Sequence, residues 1–177
     1  MGETVVIAGS LDTKGKEFAF LKELIEKEGL QTLVIDFGVL GDPAFAPDIT
    51  RQEVASAGGG DLTKLASGEH KDEAMRVMAA GLAVIVRRLF DEGRLDGILG
   101  MGGGGGTSLT TAAMRALPVG IPKVMVTTGY PMVHYYLSAQ PKQAFGIPGA
   151  RVTHVWCDNP KDAESVARAS LIPTIVK

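Results

Sequence analysis

The nine residues GMGGGGGTS, positions 100–108, constrain this chain more than any other stretch, because five consecutive glycines stand between two regular-looking segments. The preceding LDGIL is apolar enough for a buried strand, and TSLTTAAMRAL after the glycines has helical spacing and stops before Pro118. A flexible spacer is not hemmed in this way on both sides. A glycine turn that carries a strand into a helix instead exposes backbone N–H groups at the positive end of the helix dipole, which is how a backbone holds an anion. Gly102, Gly103, Gly104, Gly105 and Gly106 are therefore a candidate phosphate cradle, with Thr107 and Ser108 adding hydroxyl donors. The run satisfies G-x-G-x-x-G almost by default, so that match identifies no ligand. No lysine follows at the Walker position, which argues against a P-loop.

The rest of the chain supplies the frame such a turn needs. TVVIAGS (4–10) and QTLVIDFG (31–38) read as buried strands, separated by an amphipathic helix from about Lys14 to Glu28. A longer helix spans about Lys71 to Glu92, and PKVMVTTG (122–129) reads as a fourth strand. RVTHVW (151–156) is a candidate fifth strand, PKDAESVARAS a short helix, and IPTIV a closing strand. Strands alternating with helices predict an α/β fold: a doubly wound, mostly parallel sheet of about five strands, Rossmann-like or flavodoxin-like, in a three-layer sandwich. Residues 38–70 break the alternation. Thr50 and Glu53 have capping-box spacing for a short helix there, and a loop of this length is a candidate lid or protein-binding segment.

In open parallel sheets, ligands sit beyond the carboxyl ends of the strands. GSLDTKG, the glycine run and TTGYP would converge at that end. Asp12 either caps the first helix or holds a magnesium ion bridging phosphates, with capping the better supported by residue preference. Lys14 either faces a phosphate or is solvated. Asp36 ends the second strand, where dinucleotide folds place an acid against ribose hydroxyls.

With 18 Lys and Arg against 20 Asp and Glu, the formal net charge is -2, which gives no basic excess for coating nucleic acid. A single cysteine, Cys157, cannot form an internal disulfide, and no stretch is long and apolar enough to span a membrane. The expectation is a cytoplasmic protein with neither nucleic-acid nor membrane partners. His70, His134 and His154 have no metal-site spacing with one another or with Cys157.

Three segments together, GSLDTKGKEFAFLKELI, VIDFGVLGDPAFAPDITRQEVA and GILGMGGGGGTSLTTAAMRALPVGIPKVMVTTG, resemble the N-terminal half of an ATP-binding family of uncharacterised proteins that includes the tomato mosaic virus resistance protein. The resemblance covers about residues 4–129. It implies a nucleotide-binding subdomain, here residues 1–177, forming half of a two-subdomain architecture, and it implies self-association into a homo-oligomer. It also implies ATP at the strand ends. Gly9, Ser10, Asp12, Thr13 and Lys14 would form one wall, Gly102 to Thr107 the phosphate wall, and Thr127, Thr128 and Gly129 would lie alongside. The chain departs from the family after the fourth strand, where TTGYPMVHYY replaces a Ser-Thr-Val-Ala-Ser-Gly-like stretch. The alternative is an enzyme acting on a phosphorylated small molecule or dinucleotide at the same strand ends.

Overall fold

A computed structural model of the chain describes residues 2–66 and 71–127. The elements run β1 (Thr4–Gly9), α1 (Leu11–Lys27), β2 (Gln31–Asp36), α2 (Arg51–Ala57), α3 (Leu62–Leu65), α4 (Lys71–Asp91), β3 (Gly97–Gly102), α5 (Gly104–Ala116) and β4 (Lys123–Thr127). The four strands form one parallel sheet in the order β2-β1-β3-β4. The expected fifth strand, the helix after it and the closing strand lie outside the described residues, as do Thr128, Gly129, the three histidines and Cys157.

Alternation along the strands divides the core in two. Val5, Ile7, Val34 and Leu99 face α1 and meet its Phe18, Leu21 and Ile25. Val6, Ala8, Leu33, Ile35 and Ile98 point the other way, toward the apolar stripes of α2, α4 and α5. Helices thus cover both faces, as near-continuous apolar strands require, and the fold is the expected α/β, Rossmann-like arrangement. Small residues in the strands let the helices approach closely. A Cβ on Gly100 would strike the Thr110 side chain of α5, and one on Gly9 would strike the Phe18 ring of α1.

Residues 38–50 are bound to the sheet rather than looping free of it. The N–H groups of Asp48 and Ile49 donate to Val34 O at 2.9 and 3.0 Å, and Asp36 N–H donates to Ile49 O at 3.0 Å. Ile49 makes a parallel bridge to Ile35, and the Asp48 carboxylate accepts from Val34 N–H at 2.7 Å. The segment thereby covers the outer edge of β2, whose unpaired backbone would otherwise be open to other strands. The capping box at Thr50 and Glu53 is present and starts α2.

Two boundaries differ from the periodicity. The first helical turn begins at Leu11, three residues early, but the backbone leaves helical geometry at Lys14 (φ -132°, ψ 24°), so a separate turn precedes the amphipathic helix. Helix α5 begins at Gly104 rather than Thr107. Burial of Thr107, Leu109, Thr110, Ala113 and Met114 against the sheet holds it, overriding a helix-propensity cost of about 1 kcal/mol for each glycine.

Candidate functional site at the β1 and β3 strand ends

The chain leaves β1 toward β2 on one side and leaves β3 toward β4 on the other, so the strand order reverses between β1 and β3. Their carboxyl ends lie side by side, with Ala8 paired to Gly100. This is the switch point at which open α/β sheets form a ligand crevice, because the connections diverge and leave a gap.

One wall is the turn from β3 into α5. Only Gly103 separates strand from helix, and it is the N-cap residue. A Cβ on Gly102 would come within 2.9 Å of the Gly106 Cα, so the turn closes only with glycine there. The helical ladder begins with Thr107 N–H donating to Gly103 O at 2.9 Å. The N–H groups of Gly104, Gly105 and Gly106 therefore have no acceptor within the helix. Gly105 is exposed, and the nearest side chain to its absent Cβ is the flexible thioether of Met75 at 3.7 Å. Thr107 is buried, and its hydroxyl donates to the Thr127 hydroxyl at 2.8 Å, tying the first turn of α5 to the end of β4. Ser108 is half-buried one position further along.

The other wall is the turn after β1. Gly9 is buried, Ser10 and Lys14 are half-buried and Thr13 is exposed. Ser10 O accepts from the N–H groups of Thr13 and Lys14, at 3.4 and 3.0 Å. Asp12 does not cap α1 as its residue type suggests. Ser10 is the N-cap residue, and the Asp12 carboxylate reaches instead to the chain after β2, where Oδ2 accepts from Leu40 and Gly41 N–H at 2.9 and 3.2 Å. Two long-range backbone donors win over the local cap. The other oxygen, Oδ1, is buried without a hydrogen-bond partner.

Asp36 sits at the end of β2 and is 1% exposed. Its Oδ1 accepts from Leu11 N–H at 3.0 Å and Gly38 N–H at 2.9 Å. Arg51 Nε approaches Oδ2 at 3.8 Å, and the same guanidinium pairs with Asp42 at 3.5 Å and donates to Gly41 O. Burial pushes the Asp36 pKa above the usual carboxylate range, against the two backbone donors and Arg51, which pull it down. Sequence spacing held no signal for the Asp12–Leu40 and Asp36–Arg51 pairings, since each joins segments that only the sheet brings together.

Among the described residues no cluster of three or more His, Cys, Asp or Glu side chains is placed to hold a metal ion, and no helix is long and apolar enough to cross a membrane. A cleft of about 250 Å³ opens at the opposite end of the sheet, beside Glu3, Asp96 and Pro122. It lies at the amino ends of the strands, away from the switch point, and Asp96 is already engaged by Thr4 N–H at 2.7 Å.

A UPF0261 protein from Clostridium tetani is 52% identical over 128 residues, covering 72% of this chain and 32% of that protein. One from Brucella suis is 34% identical over 124 residues, covering 70% of this chain and 30% of that protein. The chain thus spans about a third of the length of these relatives. The tomato ToMV resistance protein Tm-1(GCR237) is similar over a shorter stretch, 46% identical over 55 residues, which is 31% of this chain and 7% of that protein. The model of the uncharacterised protein family UPF0261, N-terminal domain, matches residues 3–134, and the chain belongs to that family.

Proposed function

We propose that this domain binds a nucleotide, ATP with Mg²⁺, at the crevice between the ends of β1 and β3. The observation that carries the reading is the direct passage of β3 into α5 through Gly103, with three glycine N–H groups left without helical acceptors at the switch point. Such a turn favours a phosphate through its N–H groups and through the positive end of the helix dipole, with no lysine required. Gly102 to Gly106 would contact the phosphates, with Ser108 and the Thr107–Thr127 pair behind them. Gly9, Ser10, Thr13 and Lys14 would form the facing wall; Thr128 and Gly129, which the family resemblance adds, lie outside the described residues.

Magnesium fits this reading with the residues present. A nucleotide-borne Mg²⁺ takes most of its ligands from phosphates and water and needs only one or two protein carboxylates. Asp12 would be that carboxylate, and to reach the ion it would have to turn its buried Oδ1 away from Gly38. When bound, the ion would neutralise phosphate charge.

The reading is of a binding domain whose occupancy is sensed elsewhere, with self-association as the family resemblance implies. The test is a thermal melt with ATP, ADP and inorganic phosphate. Ligand at a hundredfold its Kd adds about 2.7 kcal/mol to stability, enough to raise Tm by several degrees. Unchanged melts with all three at millimolar concentration would sink the reading.

A further inference from the structure

We propose that residues 38–46 form a strap that lifts as one piece from the turn after β1 and gates two buried carboxylate oxygens, Asp12 Oδ1 and Asp36 Oδ2. Both oxygens are buried without a hydrogen-bond partner among the described residues. Both carboxylates also lie under the head of the strap. Gly38 N–H donates to Asp36 Oδ1 at 2.9 Å, and a Cβ on Gly38 would stand 2.7 Å from Asp12 Oδ1. A carboxylate oxygen taken from water and given no donor carries a cost, which is recovered when the oxygen meets water again. The closed strap therefore works against its own fastenings.

Both ends of the strap are anchored. Phe37, just before it, is buried and donates its N–H to Gly9 O at 2.9 Å, and Asp48 and Ile49, just after it, are bonded to Val34. Between these anchors the chain has no helix or strand, and Leu40, Gly41, Asp42, Ala44 and Ala46 are exposed. The fastenings are mostly polar: Asp12 on the N–H groups of Leu40 and Gly41, Leu11 O on Ala44 N–H at 3.1 Å, and Arg51 on Gly41 O and Asp42. Ala44 is seated on Gly15 of α1, where a Cβ would drive into the Ala44 Cβ, and Val39 and Phe45 add half-buried apolar contact. Exposed hydrogen bonds with little apolar burial mark a segment that opens well below global unfolding. Asp12 and Arg51 grip the same residue, Gly41, so losing one fastening loosens the next and the strap opens cooperatively.

The inference stands apart from the nucleotide reading, and its test needs no ligand. Native-state amide exchange of the full chain is followed at rising, sub-denaturing urea. The amides of Gly38, Leu40, Gly41 and Ala44 should exchange through one opening, with protection agreeing within about threefold and one shallow urea dependence, while Phe37 and Ile7 follow global unfolding. Gly15→Ala meets the strap at Ala44 and should speed all four amides by the same factor, about tenfold. Labelling of the Asp36 carboxyl by a carbodiimide and an amine, read by mass spectrometry, should rise by that factor too. Four amides with unrelated protection, or exchange only by global unfolding, overturns the strap. So does acceleration confined to Ala44. Asp36 labelling that tracks Ile7 instead of Gly38 overturns the gate. The unaltered protein decides both points even if the variant does not fold.

Discussion

The carboxylate of Asp12 holds the backbone of Leu40 at 2.9 Å across 28 positions of sequence. Together with the bond to Gly41 at 3.2 Å, this fixes the chain after β2 against the turn after β1. The same contact joins a candidate site wall to the segment that goes on to shield the β2 edge.

Asp12→Ala should release that segment. Removing an acceptor from two backbone donors costs about 1–3 kcal/mol, read as a lower denaturation midpoint with unchanged slope. Amide exchange at Leu40 and Gly41 should accelerate, while the amides of Val6 and Ile7 in β1 change only with global stability. Equal exchange rates at Leu40 in both proteins would show that the latch contributes nothing.

Gly104→Asp separates the fold of the glycine turn from its proposed use. A carboxylate in the first turn of α5 complements the helix dipole by about 0.3–1 kcal/mol, and any residue other than glycine or proline raises helix propensity there. The variant should melt at or above the temperature of the unaltered protein. The same charge repels a phosphate, so the ATP-induced rise in Tm should vanish. A retained rise would place the ligand elsewhere.

Two carboxylates should give opposite pH dependences. The folded-state pKa of Asp36 is raised, chiefly by burial. Its contribution to stability is therefore fully present below its unfolded value and is lost as pH rises through the folded value. Asp36→Asn removes this dependence, so its stability relative to the unaltered protein should improve as pH rises through that window. Glu53 is the reverse: bonds from the Thr50 backbone and hydroxyl lower its pKa. Its contribution is present above the unfolded value and is lost as pH falls through the folded one. Glu53→Gln should cost stability at neutral pH and progressively less in acid. Parallel denaturation curves against pH for the two variants test both signs.

Gly81 of α4 lies against the backbone of α2. A Cβ there would drive into the Val54 carbonyl oxygen and come within 2.9 Å of Gly58 N. Backbone atoms cannot swing aside as a flexible side chain can. Gly81→Ala should therefore destabilise by about 1–3 kcal/mol in chemical denaturation despite its better helix propensity. A neutral or stabilising result would mean that α2 and α4 separate at no cost.

Much of the architecture was legible because it depends on local pattern. Apolar β-branched runs specify β1 and β2, a 3.6-residue stripe specifies α4, and Thr50 with Glu53 specifies the start of α2, each through contacts within a few residues. The glycine run at 102–106, by its neighbours, announced a strand-to-helix turn. Its helical start at Gly104 could not be read locally, because glycine disfavours helix and only burial of the following face against the sheet overrides that preference. The destination of Asp12 and Asp36 was decided by tertiary structure alone. A carboxylate accepts from whichever donors are left unpaired nearby, and the donors here, on Leu11, Gly38, Leu40 and Gly41, come within reach only once β1 and β2 pair. Local chemistry thus determined which elements form; long-range pairing decided which backbone donors the carboxylates at the strand ends hold.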